Sequence, residues 1–350
     1  MESFLREWDG ESVILQYDRP TGAWIIIAIH STRLGPATGG TRMKPYPGFQ
    51  EALRDALRLA ASMTYKFALA NLPYGGGKAV IFLPLDFDPR ERPDLLRRYG
   101  ALIQQLGGSY RTGPDVGTSP ADMDIIAETG APHVFCRTPA NGGAGDSGGA
   151  TALGVFSGMQ AVCEHLCGDV SLEGKRVLVQ GAGSVGRPLI DLLREAGAEV
   201  VFSDVDQAII RHFRDQLGLQ FVPGKAVYDT PCDIFAPCAL GGILNRETIP
   251  RLNCLAVAGA ANNQLAEPAD ADRLRDRQIL YAPDYVINIG GAMAITGIEA
   301  MGWSRAEADE RVRSVRRTLR HIFHVAEAEG ITTDAAARRI AESRLSSVRM

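Results

Sequence analysis

A chain of 350 residues is longer than a single hydrophobic core usually supports, so two domains are expected. Apolar residues make up 45% of the sequence and charged residues 22%, and the net charge of -4 with scattered basic residues excludes a nucleic-acid-binding footprint. The longest apolar run, WIIIAI, is too short to cross a bilayer. The acidic N-terminus has no apolar segment of signal-peptide length, and the six cysteines show no CxxC spacing. These features predict a cytoplasmic protein with reduced thiols, no metal site and no membrane partner.

The first elements are two β-rich runs, at residues 12–17 and 23–29, joined by a hairpin-type connection. The stretch at 30–48 is rich in glycine and proline, which predicts an ordered loop or an irregular strand. Its adjacent Gly39 and Gly40 would let a ligand approach the backbone closely, and a plain turn explains them equally well.

Two lysines then occur in the stretch MTYKFALANLPYGGGK. Residues 50–69 have the apolar periodicity of a helix, which places Met63 and Lys66 on one face. Lys78 follows three glycines, which predict a tight turn, and it begins the strand-like AVIFL. Two ammonium groups presented in this way suit an anionic substrate, although a helix lysine is also commonly a solvated surface charge.

Helical patterns at 93–106 and 119–130 lie on either side of Asp115. Asp115 itself is in a turn-rich segment, where an N-cap or turn residue is the simplest interpretation. The glycine-rich segment 138–149 predicts a hinge between domains, and a helix is predicted at 151–166.

The second half opens with a dinucleotide-binding fingerprint. Gly181, Gly183 and Gly186 form GxGxxG directly after the apolar run 177–179, and Asp204 follows about twenty residues later. The first glycine makes a sharp turn, the second lets the backbone approach a pyrophosphate, and the third packs helix against strand. Asp204 would bind the ribose 2′-hydroxyl and repel a 2′-phosphate, so NAD is predicted over NADP.

Further β–α alternation predicts a parallel, doubly wound sheet in the rest of this half. Asn262, Asn263 and Asn288 each end an apolar run predicted as a strand, where ligands gather in such folds, although turn formation is the commoner role of asparagine. The chain closes with charged helical patterns at 305–329 and 333–346, whose charges are most simply solvated faces.

Together these motifs resemble the amino acid dehydrogenase family of leucine, valine, phenylalanine and glutamate dehydrogenases. The resemblance spans nearly the whole chain and rests on GGTR, MTYK, GGGKAVI, DVGT, ADMD, GAGSVG, CDIFAPCALGG, GAANNQL and LYAPDYVIN. It implies NAD-dependent oxidative deamination of an L-amino acid to a 2-oxo acid and ammonia, and a homo-oligomer is expected. It also implies an α/β fold of two domains. These are a substrate-binding and catalytic domain at 1–137, joined by a C-terminal helix at 331–350, and a Rossmann-type NAD-binding domain at 138–330.

The resemblance implies roles for individual residues. By motif position, Lys66 grips the substrate α-carboxylate, Lys78 activates water and Asp115 shuttles protons. Asn262, or failing that Asn263, is implied to bind the substrate amino group or the nicotinamide. Two cations in a closed cleft would favour loss of a proton from one of the lysines, with Asp115 as the compensating charge. The implied cofactor-binding residues are Gly181, Gly183, Ser184, Val185, Gly186, Asp204 and Asn288.

The substrate side chain is predicted to be apolar. Glutamate dehydrogenases have a lysine where this chain has Thr38, and burying a second carboxylate without that cation would be costly. Small residues leave room for a ring, which slightly favours an aromatic substrate such as that of a phenylalanine dehydrogenase over a branched-chain one. A non-catalytic nucleotide-binding protein is the remaining alternative. Ile289 departs from the alanine of many relatives. By motif position the side-chain pocket is formed by Gly39, Gly40, Met63, Gly113, Ala292 and Ile295.

Overall fold

The computed structural model describes the backbone of residues 2–347 and the side chains of residues 5–347. The chain divides into two compact units: Met1–Asp146 with Ile295–Gly302 and Ala341–Met350, and Ser147–Ala294 with Trp303–Ile340. The predicted domain boundary at 137/138 lies before this division, and the predicted first domain did not include residues 295–302. Met1 and residues 348–350, the ends of the predicted first domain and of its C-terminal helix, lie outside the described residues.

The first unit is built on a five-stranded mixed sheet. Its elements in chain order are α1 (Glu2–Trp8), β1 (Ser12–Asp18), β2 (Ala23–Ser31), β3 (Ala37–Lys44), α2 (Phe49–Leu69), β4 (Gly75–Phe82), α3 (Arg92–Gln105), β5 (Tyr110–Pro114) and α4 (Pro120–Gly130). The strand order is β1-β2-β4-β3-β5. β2 is antiparallel to both of its neighbours, whereas β4, β3 and β5 run parallel.

β2 is buried on both faces of this sheet. Ile25 and Ile27 belong to the core that also contains residues of α3 and α4, whereas Ile26 and Ala28 pack in the core formed with α2. Because successive side chains of a strand point to opposite faces, the run WIIIAI contributes apolar side chains to the cores on both faces of the sheet. Each such isoleucine contributes about 1.5–3 kcal/mol when fully buried, so this strand anchors the unit.

The glycines before Lys78 lie within a strand, which corrects the predicted turn. Residues 75–77 are the first part of β4. A Cβ on Gly76 would lie 2.1 Å from Thr64 Oγ1 of α2, so glycine is required where the helix packs on the strand. Gly39 and Gly40 are likewise in the middle of strand β3 and not in a loop or a plain turn. The irregular-strand alternative predicted for residues 30–48 is therefore the one observed at Gly39 and Gly40. The strand before Lys78 was not predicted, because glycine disfavours strands unless close packing requires it.

The second unit contains a six-stranded sheet in which every neighbouring pair is parallel. The remaining elements in chain order are α5 (Gly148–Cys167), β6 (Arg176–Gln180), α6 (Gly186–Glu195), β7 (Glu199–Ser203), α7 (Gln207–Ile210), β8 (Gln220–Phe221), β9 (Ile234–Pro237), β10 (Ala256–Val257), α8 (Ala269–Asp276), β11 (Leu280–Tyr281), α9 (Asp284–Ile287), α10 (Gly290–Met301), α11 (Arg305–Arg313), α12 (Val315–Glu329) and α13 (Thr333–Ser347). The strand order β11-β10-β9-β6-β7-β8 confirms the predicted two-domain α/β class with a doubly wound sheet.

The last turns of α13 belong to the first unit. Arg344 Nη1 donates to the carbonyl oxygens of Ala68 at 2.7 Å and Leu69 at 2.8 Å, at the C-terminal end of α2. A cation at this end satisfies unpaired carbonyl groups and balances the helix dipole. The predicted return of the C-terminal helix to the first domain is confirmed for the described residues.

Two predictions for the second half were wrong in detail. Residues 305–329 form two helices separated at Ser314 rather than one. The strand predicted to run to Asn288 ends at Tyr281 and is followed by α9. Pro283, the N-cap of α9, has no N–H to continue a strand ladder, so the apolar run after it becomes helical.

The longest helices are α2, with 21 residues, and α5, with 20 residues. α2 buries its apolar side and carries charged residues on the other, as a helix packed on a sheet does. No helix in the described part of the chain combines the length and the apolar character needed to span a membrane.

Candidate active site

Three neighbouring strands place a lysine, an arginine and an aspartate together in the first unit. Lys78 is on β4, Arg42 is on the adjacent β3, and Asp115 directly follows β5 on the far side of β3. Arg42 is in register with Val80, which packs in the core shared with α2. Side chains two residues apart on a strand share a face, so Lys78 and Arg42 are both on the α2 side of the sheet.

Asp115 accepts from both cations through the same oxygen. Lys78 Nζ forms an ion pair with Asp115 Oδ2, and Arg42 Nε donates to that oxygen at 3.2 Å. The side chains of Lys78, Arg42 and Asp115 are only 8%, 12% and 13% exposed. Burial alone would raise the pKa of Asp115, but the positive charges of Lys78 and Arg42 outweigh burial and lower it. Asp115 is therefore held as a carboxylate.

A second carboxylate continues this row of charges. Arg42 Nη1 donates to Asp55 Oδ2 at 2.8 Å, and the hydroxyl of Tyr46 donates to the same oxygen at 2.7 Å. Burial acts to raise the pKa of Asp55, but Arg42 holds it below its ordinary value. Charges therefore alternate from Asp55 through Arg42 and Asp115 to Lys78. Sequence analysis assigned no role to Arg42, Asp55 or Tyr46, although Arg42 is the last residue of the GGTR motif.

Asp115 is the first residue of a turn, in which the backbone N–H of Thr118 donates to its carbonyl oxygen at 2.9 Å, so of the two local interpretations the turn residue is correct and the N-cap is not. Ser119 is the N-cap of α4, in a capping box with Asp122. The backbone N–H of Asp115 donates to Thr118 Oγ1 at 2.9 Å, and that hydroxyl donates to the carbonyl oxygen of Thr41 at 2.8 Å. These hydrogen bonds fix the backbone of the loop, and the Asp115 carboxylate is free of them and contacts Lys78 and Arg42.

The structure brings four of the predicted pocket residues together in two contacting pairs, of which the pair Gly40 and Gly113 lies beside Asp115. Gly40 is in register with Gly113, and a Cβ on Gly40 would lie 3.0 Å from Asp115 Cβ. Met63 Cγ lies 3.4 Å from the position of a Cβ on Gly39. We call Gly39, Gly40 and Gly113 the glycine floor. A ligand over this floor would touch backbone and the side chain of Met63.

Of the four other predicted substrate-site residues, Lys66, Ala292 and Ile295 lie on helices α2 and α10, and their roles stay predictions. Lys66 lies one helical turn after Met63 on α2. Ile295, which is 5% exposed, is the first residue of α10 that belongs to the first unit, whereas Ala292 belongs to the second unit. The charged group in direct contact with Lys78 is Asp115, and the mutual effect expected of the two lysines stays a prediction.

Cys136 and Glu299 are features that sequence reasoning missed. Cys136 Sγ would lie 3.7 Å from a Cβ on Gly113, and the residue has a φ of 59°. The carboxylate of Glu299 accepts from the backbone N–H of Cys136 at 3.0 Å and of Ala144 at 2.6 Å. Burial raises the pKa of both the Cys136 thiol and the Glu299 carboxyl. A left-handed backbone at a cysteine leaves no periodic signal in the sequence.

The GxGxxG turn has the geometry of a pyrophosphate cradle. Gly181 has a φ of 93° directly after β6, and a Cβ on Gly186 would lie 1.9 Å from the carbonyl oxygen of Gly181. A Cβ on Gly183 would meet nothing within 4 Å, so the backbone there is open to a ligand. Val185 is the N-cap of α6, and Ser184 before it is exposed. Helix N-termini of this kind bind phosphate through backbone N–H groups.

Asp204 is fixed beside this turn. Its Oδ2 accepts from the backbone N–H of Ala182 at 2.7 Å, and its Oδ1 accepts from Val205 at 2.7 Å and Asp206 at 2.9 Å. The carboxylate is thus held at the end of β7, where it suits a ribose hydroxyl and opposes a 2′-phosphate. These residues fit bound NAD.

The structure also brings two of the predicted asparagines together. Asn288 Nδ2 donates to Asn262 Oδ1 at 2.7 Å and to the carbonyl oxygen of Ala260 at 2.9 Å. Asn288 is the C-cap of α9 and does not end a strand, which corrects its predicted position. Asn263 has a φ of 52° and its carbonyl oxygen accepts from Gly242, so its backbone forms a turn.

The six cysteines are free thiols. Burial raises the pKa of Cys163 to about 11, so this thiol is protonated near neutral pH. Within residues 2–347, no three side chains of His, Cys, Asp or Glu are grouped as a metal site requires.

The two sites define a class of protein. A parallel sheet with a glycine cradle and an acidic residue at the next strand end is a dinucleotide-binding domain. A buried lysine and carboxylate in direct contact provide paired groups for proton transfer. Together they define a dehydrogenase that uses a nicotinamide cofactor.

Comparison with protein families identifies the dehydrogenase further. Residues 19–131 match the family described as Glu/Leu/Phe/Val dehydrogenase, dimerisation domain. Residues 142–212 and 203–349 match the family described as Glutamate/Leucine/Phenylalanine/Valine dehydrogenase. The chain belongs to this family, which confirms the predicted resemblance. It is an NAD-dependent amino acid dehydrogenase, an oxidoreductase acting on CH–NH2 groups.

Individual relatives resemble the chain over almost its full length. It is 43% identical over 348 residues to the leucine dehydrogenase of Geobacillus stearothermophilus, covering 99% of this chain and 93% of that protein. It is 46% identical over 349 residues to the valine dehydrogenase of Streptomyces virginiae, covering 97% and 94% of the two chains. The crystal structure of L-tryptophan dehydrogenase from Nostoc punctiforme superposes with a TM-score of 0.83, at 40% identity and 99% coverage of both chains.

Proposed function

We propose that the protein catalyses the reversible oxidative deamination of a branched-chain L-amino acid, of the leucine or valine type, to its 2-oxo acid and ammonia. The observation that carries this proposal is the similarity over 93% or more of their length to a leucine and a valine dehydrogenase. This choice replaces the aromatic substrate that pocket size alone favours.

The absence of a cation at residue 38 supports an apolar substrate side chain. Thr38 is 4% exposed and its hydroxyl donates to the carbonyl oxygen of Pro36. Arg111 is in register with Thr38, but its guanidinium lies 5.9 Å and 5.8 Å from the ring centroids of Tyr74 and Phe135. The Arg111 guanidinium therefore makes cation–π contacts with these rings.

The proposed mechanism assigns the proton transfers to Asp115 and Lys78. Lys66 binds the substrate α-carboxylate. Asp115, already a carboxylate, accepts a proton from the substrate ammonium, which frees the amine lone pair for loss of hydride from Cα. Bound NAD supplies the hydride acceptor. Lys78, as the neutral amine left after its ammonium has released a proton to solvent, then removes a proton from the water that attacks the imino carbon. Asp115 returns its proton to the amino nitrogen, which leaves as ammonia, and the carbinolamine hydroxyl gives its proton to the Asp115 carboxylate as the 2-oxo acid forms. Because Lys78 and Asp115 are in contact, a proton can pass between them directly.

The second unit is proposed to hold the cofactor. The backbone at Gly183 and the start of α6 would bind the pyrophosphate, and Asp204 would bind the adenosine ribose. Asn288 and Asn262, hydrogen-bonded to each other, are proposed to bind the nicotinamide or the substrate amino group.

A substrate panel tests the proposal. We expect kcat/KM with NAD to be highest for L-Val or L-Leu, lower for L-Phe and L-Trp, and negligible for L-Glu. Lys78→Ala and Asp115→Asn should each lower kcat about 10²- to 10⁴-fold, the usual loss of a general acid or base. Lys175→Ala, at a partly exposed lysine of the second unit that contacts Cys167, serves as the control with unchanged turnover. Near-normal turnover by Lys78→Ala would show that the mechanism is wrong.

An aromatic substrate is the second candidate because of one observation. A Cβ on Gly113 would make ordinary contacts, at 3.7 Å and 3.9 Å, so the floor has a space that glycine leaves empty. The structurally similar protein of Nostoc punctiforme is a tryptophan dehydrogenase. A higher kcat/KM for L-Phe or L-Trp than for L-Val in the same panel would select this candidate.

Assembly and location complete the proposal. We propose a homo-oligomer, since residues 19–131 match a family segment described as a dimerisation domain. We propose a cytoplasmic location, which suits six cysteines that form no disulfide. Sedimentation velocity of the purified protein tests the first of these, and a monomer would contradict it.

A further inference from the structure

Arg42 connects the proposed catalytic pair to a carboxylate on helix α2. Its Nε donates to Asp115 Oδ2 at 3.2 Å and its Nη1 donates to Asp55 Oδ2 at 2.8 Å. Both arms of the guanidinium are thus used, and Tyr46 fixes the far carboxylate from a second direction at 2.7 Å. Arg42, Asp55 and Asp115 are each 12–13% exposed, so these contacts are shielded from water.

In the proposed mechanism the contact of Arg42 with Asp115 matters because the charge of Lys78 changes during turnover. Lys78 loses and regains a proton in each turnover, so its positive charge beside Asp115 Oδ2 is present for only part of the cycle. An arginine side chain is not deprotonated in proteins, so the Arg42 charge on the same oxygen is constant. A planar guanidinium fixed at both ends also restricts rotation of the Asp115 carboxylate.

We propose that Arg42 is a positioning residue for Asp115. It holds Oδ2 towards Lys78 and keeps the carboxylate ionised while Lys78 is neutral, and Asp55 holds Arg42 in turn. This inference rests on the proposed roles of Lys78 and Asp115. Burial also acts on the pKa of Arg42, but the two carboxylates outweigh it and raise that pKa, which agrees with a permanent charge.

The alternative is that Arg42 only ties α2 to the sheet. The chain offers a matched comparison in the same unit, where Arg98 Nε and Nη2 donate to the two oxygens of Asp18 at 2.5 Å and 2.9 Å. The side chain of Asp18 is 2% exposed and that of Arg98 34%, so Arg98→Gln removes an arginine from a buried carboxylate outside the proposed site. The groups that interact with Asp115, which a pH profile must take into account, include Lys78, Arg42, Tyr46 and Tyr110, and Asp55 lies on the far side of Arg42.

The test compares Arg42→Gln, Arg42→Lys, Asp55→Asn and Arg98→Gln in the full-length enzyme. For Arg42→Gln we expect kcat to fall up to about 100-fold with little change in KM, because Asp115 is misplaced while the carboxylate clamp is intact. The acidic limb of the kcat–pH profile should move up by about 1–3 units, the effect of losing a neighbouring opposite charge. Arg42→Lys should restore the position of this limb but not the full kcat, because an ammonium cannot reach both carboxylates.

Two further variants separate positioning from a structural role. Asp55→Asn keeps the contact between Arg42 and Asp115, so the acidic limb of the kcat–pH profile should not move up in this variant. Its kcat should still fall. Arg98→Gln should lower the melting temperature while kcat and the pH profile stay as in the wild type. If Arg42→Gln did not fold, a wild-type kcat in both Arg42→Lys and Asp55→Asn would overturn the inference.

The outcomes also separate this inference from the proposed function. Full activity of Asp115→Asn would remove the proposed role of Asp115 and this inference with it. An inactive Asp115→Asn together with wild-type kcat and pH profile in Arg42→Gln would overturn only the role of Arg42. If the acidic limb of the kcat–pH profile did not shift in either Arg42→Gln or Arg98→Gln, and the melting temperature fell equally in both, Arg42 would contribute to stability alone.

Discussion

Gly113→Ala should change substrate selectivity without disturbing the fold. The new Cβ would lie 3.7 Å from Cys136 Sγ and 3.9 Å from Phe135 Cβ, which are ordinary van der Waals contacts. Replacing glycine by alanine at a compatible backbone also stabilises by about 0.4–1 kcal/mol through the unfolded state. The free energy of unfolding should therefore stay the same or rise slightly. Gly40→Ala is the matched contrast, because its Cβ would lie 2.5 Å from the carbonyl oxygen of Pro114.

The added methyl should narrow the proposed side-chain pocket. One methyl or methylene group in an apolar pocket is worth about 1–3 kcal/mol of discrimination, or about 10- to 200-fold. Gly113→Ala should therefore raise the ratio of kcat/KM for L-Val over L-Phe by a factor in this range. The assay is NAD reduction with both substrates, alongside urea unfolding. An unchanged ratio in a folded variant would refute the placement of Gly113 in the pocket, and a Gly40→Ala variant of native stability and activity would refute the packing argument.

Three further changes test other parts of the chain. Asp204→Ser should weaken NADH binding and lessen discrimination against NADPH, because it removes the anion opposed to a 2′-phosphate; fluorescence titration with both cofactors measures this. Arg344→Ala should lower the free energy of unfolding by about 1–3 kcal/mol, measured by urea, because two carbonyl oxygens at the end of α2 lose a charged donor. Burial alone would raise the pKa of Asp18, but hydrogen bonds from Arg98 lower it below 3.8, so Asp18 stabilises the fold above that pH and the stabilisation is lost as pH falls below it. Asp18→Asn should therefore lower the unfolding free energy near pH 7 and flatten its decline between about pH 5 and about pH 1.

The sequence predicted those features that have a local signature. The fingerprint around Gly183 combines strand, glycine turn, helix and acidic residue within one short segment, and each part appears as predicted. The helix that bears Met63 and Lys66 was predicted at 50–69 and lies at Phe49–Leu69, because its apolar residues repeat over many turns.

Features that depend on distant residues were not predictable in this way. The glycines before Lys78 were assigned to a turn because glycine usually marks one, and the contact with Thr64 that places them in a strand joins residues of different elements. Arg42 belongs to a recognised motif, but its partners Asp55 and Asp115 lie on a helix and on a third strand. A spacing rule along the chain cannot show that three such residues converge.

The ion pair of Lys78 and Asp115 connects the central strand of the sheet to the residue that follows an edge strand. β4 is the central strand of its sheet, with β2 and β3 on either side, whereas β5 is the last strand, and beyond it the described residues add an isolated bridge from Thr112 to Val134. Backbone amides of a central, fully buried strand exchange with solvent only in large openings, and those of an outer strand exchange in smaller ones. A transient detachment of β5 would therefore separate the carboxylate from the amine while the rest of the sheet stayed folded. Hydrogen exchange at the sheet edge, rather than global unfolding, would then report how long the proposed catalytic pair stays assembled.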